Sequence, residues 1–204
     1  MTSKNINVAI IGLGQIGSRL YKEILSKKKD IKLKTGKNVN ILAISAKNAK
    51  KKRSFKFNKK IFFKNPLDIS KDKRIDIIFE LIGFGDGISK KIVETALKNK
   101  KHVVTANKAL IAKNGDYLSF LAEKNKVNLE FEASVGGGIP ILRTLKDGIA
   151  TNKINKVVGI LNGTCNYILS EMESSKDSFV NVLKIAQNLG YAEPSNPKLD
   201  LNGS

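Results

Sequence analysis

Ile6-Asn7-Val8-Ala9-Ile10-Ile11-Gly12-Leu13-Gly14-Gln15-Ile16-Gly17 is the stretch on which the fold turns. Ile6 to Gly12 is a short β-branched run and reads as a strand, and a helical period follows from about Gln15 to Lys28. Between them lies the pattern G-x-G-x-x-G. On its own that pattern is weak; directly after a strand and opening a helix it becomes specific. Gly12 permits the tight turn, Gly14 lets the backbone approach a pyrophosphate, and Gly17 allows close helix–strand packing. The helix N-terminus then faces the anion. The plainer reading of the same residues is a glycine turn with no ligand. The cofactor candidates here are Gly12, Leu13, Gly14, Gln15, Ile16 and Gly17.

Outward from this turn, apolar runs alternate with helical periods. Val39 to Ser45, Ile75 to Ile82, His102 to Thr105 and Val127 to Ala133 read as strands. Ser89 to Lys98 and Ala109 to Lys124 read as helices. The almost wholly apolar run from Ile75 is what a strand covered on both faces needs. The alternation predicts an α/β fold, a parallel sheet with helices on both faces. Near residue 134 the character changes. Gly136-Gly137-Gly138 precedes Pro140, a helix of about ten residues runs toward Gly148, Val157 to Leu161 reads as a strand, and helices start near Cys165 and Phe179. Gly190 reads as a helix stop. This places a domain boundary near 134, with one domain over 1–134 and a second over 135–204.

The end of the second strand separates NAD from NADP. An acid there bonds the ribose hydroxyls in enzymes that use NAD. From Ile31 to Leu67 there is no acid, and the stretch holds twelve cations, among them Lys47 and Arg53. A carboxylate would repel a 2′-phosphate and cations attract it, so NADP(H) is the expected cofactor, with NAD(H) second. Lys47 and Arg53 are the phosphate candidates, against the plain reading of a solvated lysine-rich loop.

Ligands of open α/β sheets bind outside the carboxyl ends of the strands. Glu80-Leu81-Ile82-Gly83, Thr105-Ala106-Asn107-Lys108 and Glu132 to Gly138 fall at such ends. Hydride transfer to a carbonyl develops an alkoxide, which needs a proton donor or a cation nearby. Lys108 is placed to supply one, and its position at a strand end sets it apart from the chain's other lysines. Glu193 and Asp200 are carboxylates suited to a substrate ammonium group, or else exposed loop acids. Cys165, with the single histidine, His102, distant in sequence, reads as structural rather than nucleophilic.

The composition narrows the classes. The net charge is +19, from 37 Lys+Arg against 18 Asp+Glu. Yet 33 of these cations are lysine and four are arginine, whereas base readout favours the arginine fork. Lysine, isoleucine and asparagine all have A/T-rich codons and are all abundant, so the charge reads as codon bias. There is no Trp, and aromatics are 6%, too few for a base-stacking platform. A basic nucleotide-sensing or nucleic-acid-binding protein is the alternative reading, without a recognisable reader motif to support it. One cysteine excludes an intramolecular disulfide and fits a cytoplasmic protein. The longest apolar run is far short of a membrane span.

Taken together, Gly12 to Gly17, Glu80 to Gly83, His102 to Leu110, Glu132 to Leu142, Gly159 to Leu169 and Leu189 to Asn202 resemble homoserine dehydrogenase, in that family's order and over essentially the whole chain. The resemblance implies a Rossmann-like nucleotide domain followed by the start of an α+β catalytic and dimerisation domain. It implies interconversion of L-aspartate 4-semialdehyde and L-homoserine with NAD(P)H, in threonine and methionine biosynthesis, and a homodimer. It puts Lys108 and Gly83 at the cofactor, with Lys108 and Glu193 as catalytic candidates. Substrate contacts fall on Gly163, Thr164, Tyr191, Glu193 and Asp200. A monovalent cation, sodium, would use Glu132 with Val135, Gly137 and Ile139. In the family an Asp and then a Lys follow the D-x-N-G stretch; this sequence ends at Ser204, before both. A truncated, weakly active or inactive chain is therefore expected.

Overall fold

The computed structural model describes residues 5–49, 51, 53, 55–159, 162–189, 191 and 192. Two compact units divide at residue 150, one spanning Met1–Ala150 and the other Thr151–Ser204.

The first unit is built on five parallel strands: β1 (Asn5–Ile11), β2 (Asn38–Ser45), β3 (Ile77–Glu80), β4 (His102–Thr105) and β5 (Leu129–Glu130). Their order is β2-β1-β3-β4-β5. The expected α/β architecture is present. The chain moves from β1 to one side for β2 and then crosses to the other side for β3, so the switch point lies between β1 and β3.

Alternation along β1 shows why the strand is wholly apolar from Val8 to Ile11. Val8 and Ile10 face a cluster with Leu13, Tyr21, Ile24 and Ile44, under helix α1 (Gln15–Ser26). Ala9 and Ile11 face the opposite cluster, where α3 (Pro66–Lys71), α4 (Ile88–Lys98) and α5 (Lys108–Lys124) contribute Ile69, Ile92, Leu97, Leu110 and Leu118. A parallel strand with helices on both faces has no wet side, so both sets of side chains must be apolar.

Several expectations need correction. The helix expected to reach Lys28 stops at Ser26, and a second helix, α2 (Lys28–Thr35), follows directly. No α2 side chain is buried, so apolar periodicity gave no signal for it. β3 starts at Ile77, later than the apolar run at Ile75, and β5 is two residues long. After β5 the chain turns into the short α6 (Glu132–Val135) where a strand was expected. The helix expected after Pro140 is only α7 (Ile141–Arg143) running into a widened π turn over Thr144–Gly148. Val157–Gly159 are not in a strand; Ile160 and Leu161, the rest of that expected strand, lie outside the described residues.

The second unit contains α8 (Gly163–Ser175) and α9 (Phe179–Leu189). They pack through Ile168, Val182, Ala186 and Ala192. The expected stop at Gly190 lies outside the described residues. No helix among the described residues is long and apolar enough to cross a membrane.

Candidate functional site

The carboxyl ends of β1, β3 and β4 finish level. Ile11 pairs with Glu80, and Glu80 pairs with Thr105. The next residues of each strand therefore line one edge, about 10 Å across from β1 to β4 at the usual inter-strand spacing. Along it lie the glycine turn, the loop from Leu81 and the turn into Lys108.

The three glycines differ physically. Gly12 has φ +103°, and a Cβ there would overlap the Leu81 carbonyl of the neighbouring strand end. Gly17 is buried, and a Cβ would overlap the Gly12 carbonyl. A Cβ on Gly14 would meet nothing within 4 Å. Gly14 is also the N-cap of α1 and provides no side-chain cap. The first amides of that helix thus face open space with a positive dipole behind them. This arrangement fits the phosphates of a dinucleotide. Leu13 and Ile16 divide in role. The Leu13 side chain is buried in the α1 cluster, leaving only its backbone at the turn, whereas Ile16 is 61% exposed beside it. Gln15 is exposed.

β2 meets the same turn, since the Gly12 N–H donates to the Ser45 carbonyl at 2.9 Å. Lys47, two residues beyond, is exposed. Arg53 sits differently from the expectation of an outstretched phosphate contact. Its Nη2 donates to the Asn48 carbonyl at 2.9 Å and its Nη1 to the Lys51 carbonyl at 3.0 Å, so the fork is folded onto its own loop. Tyr21, Phe55, Phe57 and Phe62 form a chain of ring contacts beneath that loop, with Tyr21 and Phe55 stacked at 4.7 Å.

On the other side of the switch point, Gly83 has φ +98° in the exposed loop after β3. Asn107 caps α5, its Oδ1 accepting the Leu110 N–H at 3.1 Å. Its Nδ2 donates to the Phe84 carbonyl at 2.8 Å. Asn114 Nδ2 donates to the Gly85 carbonyl at 3.1 Å. The loop after β3 is thereby fastened to the first turns of α5, and Lys108, the first residue of α5, is exposed beside it. Glu80 is fully buried at the end of β3. It takes the Thr105 hydroxyl proton on Oε2 at 2.7 Å and the Ile82 N–H on Oε1 at 2.9 Å. Glu80, Thr105 and Asn107 were visible in the sequence as strand-end residues, but nothing in their spacing showed that they bond to one another.

Two of the cation candidates are engaged by the protein's own backbone. Each oxygen of Glu132 accepts a backbone N–H, from Leu142 at 2.8 Å and Arg143 at 2.9 Å. The Ile139 carbonyl accepts the Ile141 N–H at 2.9 Å. These bonds make the Glu132 side chain a cap of the 141–143 turn, and each oxygen keeps a further lone pair. Val135, Gly137 and Ile139 are exposed. No cluster of three or more His, Cys, Asp or Glu side chains suited to a metal occurs among the described residues.

In the second unit, Gly163 opens α8, with Asn162 Oδ1 accepting the Cys165 N–H at 3.0 Å. The Thr164 hydroxyl donates to the Tyr191 carbonyl at 2.6 Å, and the Tyr167 and Tyr191 rings lie 4.8 Å apart. Burial and the nearby Glu171 charge raise the Tyr167 hydroxyl above its ordinary value. Three substrate candidates, Gly163, Thr164 and Tyr191, therefore meet at one end of α8. Glu193 and Asp200 lie outside the described residues.

Known proteins share this arrangement. Residues 12–132 match the homoserine dehydrogenase NAD-binding domain, and residues 140–204 match a second homoserine dehydrogenase domain. The two matches fall on either side of residue 134, while the compact first unit continues to Ala150. The homoserine dehydrogenase of Neisseria gonorrhoeae is 40% identical over 201 residues, covering 98% of this chain and 46% of its own length. That of Bacillus subtilis is 41% identical over 200 residues, again covering 98% and 46%. The crystal structure of a homoserine dehydrogenase from Thiobacillus denitrificans superposes with a TM-score of 0.87 at 38% identity, covering 98% of this chain and 46% of that one. The chain thus spans about half the length of the curated relatives it matches. With the glycine turn, the strand-end loops and both domain matches in agreement, this chain belongs to the homoserine dehydrogenase family.

Proposed function

We propose that this chain carries the nucleotide-binding portion, and part of the substrate-binding portion, of an NADPH-dependent oxidoreductase that interconverts L-aspartate 4-semialdehyde and L-homoserine. The observation that carries the reading is the edge described above. An uncapped helix N-terminus with open space at Gly14 stands at the switch point, level with the turn that presents Lys108.

The backbone amides opening α1 bind the pyrophosphate. The adenosine lies toward the end of β2, where Lys47 meets a 2′-phosphate and no carboxylate between Ile31 and Leu67 opposes it. Arg53 supports this contact by holding the Asn48 and Lys51 carbonyls of the loop. The nicotinamide, when bound, supplies or accepts the hydride. Lys108 stabilises the alkoxide that develops on the substrate oxygen. Glu193 and Asp200 hold the substrate ammonium group, as the family resemblance implies. No step is routed through a cation.

Equilibrium binding of NADPH and NADH to the chain tests the cofactor assignment. NADPH is expected to bind more tightly, with Lys47→Ala narrowing the difference; tighter NADH binding would overturn it. In a chain extended past residue 204 and assayed for NADPH-dependent aspartate-semialdehyde reduction, Lys108→Ala should lower kcat by about 10²-fold or more with little change in NADPH affinity. Unchanged turnover would make Lys108 a surface lysine.

A further inference from the structure

Among the described residues, Glu80 is the one fully buried carboxylate, and both of its described partners are neutral donors. Burying an ionisable group this way is costly, and an apolar residue would fill the same space without that cost. The hydrogen bonds show what the carboxylate supplies instead. One oxygen holds the Ile82 N–H, at the start of the loop after β3. The other holds the Thr105 hydroxyl, which also accepts the Asn107 N–H at 3.0 Å. Asn107 then returns to the same loop through the Phe84 carbonyl. Glu80, Thr105, Asn107 and the Ile82–Phe84 segment form a closed circuit joining two loops, and Lys108 follows directly on it.

We propose that Glu80 is the positioning residue of the nicotinamide side of the cofactor site, fixing the loop after β3 against the turn that presents Lys108. The inference rests on the nucleotide-binding reading above and adds to it. Every atom of the circuit lies on the β3–β4 side of the switch point. The end of β2, which would take the adenosine, is outside it, and the glycine turn meets it only where Gly12 packs against Leu81 and Ile82. Loosening the circuit therefore acts mainly on the nicotinamide half of a dinucleotide and least on the adenosine at the end of β2. Glutamine at position 80 keeps one acceptor for the Ile82 N–H but turns a donor toward Thr105, so the charge-assisted bond from the Thr105 hydroxyl is replaced at best by a neutral one of reversed direction.

The test is calorimetric titration of the 204-residue chain with NADPH and, separately, with adenosine 2′,5′-bisphosphate, which lacks the nicotinamide half. Glu80→Gln and Thr105→Val are expected to raise the NADPH Kd about tenfold while the bisphosphate Kd stays within about twofold, the scale of one lost charge-assisted hydrogen bond. Thr105→Ser keeps the hydroxyl and should restore NADPH binding. If Glu80→Gln does not fold, the Val and Ser variants at Thr105 carry the comparison. An unchanged NADPH Kd, or equal weakening of both ligands, would overturn the positioning role alone. A wild-type chain that binds neither ligand would overturn both this proposal and the nucleotide-binding reading.

Discussion

Gly14 and Gly17 sit three residues apart in one turn and are needed for opposite reasons. At Gly17 the neighbouring Gly12 carbonyl already occupies the space a side chain would need, so the requirement is internal to the fold. At Gly14 the space is empty and the backbone lies at φ −75°, which any residue adopts. Substitution at the two positions should therefore separate stability from binding. Gly17→Ala is expected to lower unfolding stability by about 1–3 kcal/mol, the usual cost of overpacking. Gly14→Ala should change stability by under about 0.5 kcal/mol, as surface substitutions do. It should nonetheless weaken NADPH binding at least tenfold, because the methyl group stands where the pyrophosphate must come. Denaturant melts and cofactor titration of both variants check this; equal destabilisation would refute the division, and unchanged NADPH binding in Gly14→Ala would mean that the open space at Gly14 has no ligand to receive. Leu13 makes a similar point in the same turn. It belongs to the cofactor pattern by position, but its side chain is spent on the core.

At the scale of elements, α5 is fixed by its first residue pair. Asn107 is 2% exposed and satisfies three partners: it caps Leu110, donates to the Phe84 carbonyl, and gives its own N–H to Thr105. Asn107→Ala removes the cap and leaves the part-buried Phe84 contact unmade, for an expected loss of about 1–3 kcal/mol. Asn107→Asp keeps the cap and should lose less. Thermal melts of the two variants test the division, and identical losses would put the whole effect on the Phe84 contact. The helices the sequence did not announce have separate causes. α2 buries nothing and is ended by Gly36 in a left-handed conformation, a local stop without an amphipathic face. α3 does carry a signal, Asn65 capping Leu67 with Pro66 in the first turn, but six residues are too few to show a helical period.

For the molecule as a whole, Lys101 shows how the far end of the sheet is closed. Its ammonium is buried and donates to the Asp72 and Ile75 carbonyls, tying the entry of β3 to the start of β4. Burial lowers its pKa below the ordinary 10.5, against the opposing pull of Asp72 and Asp76. The unfolded chain therefore binds this proton more tightly, and stability rises with pH through the window between the lowered value and 10.5. Lys101→Met should flatten that rise relative to the parent. Chemical denaturation from neutral to alkaline pH measures it, and parallel curves for the two proteins would refute the assignment. Much of the molecule was legible without coordinates. Strand β1, the glycine turn and the helix behind it are local features: β-branched residues favour a strand, glycine permits the turn, and a helical period needs only its neighbours. The parallel sheet followed from the alternation of strands and helices, and the position of Lys108 just beyond a strand end from the same pattern. What the sequence could not determine depends on residues far apart in the chain. The turn of Glu132 onto the amides of Leu142 and Arg143, and the Glu80–Thr105–Asn107 circuit, were decided by tertiary structure. Each arises because a polar group leaving water must find a partner, and only the folded chain brings that partner within hydrogen-bonding distance.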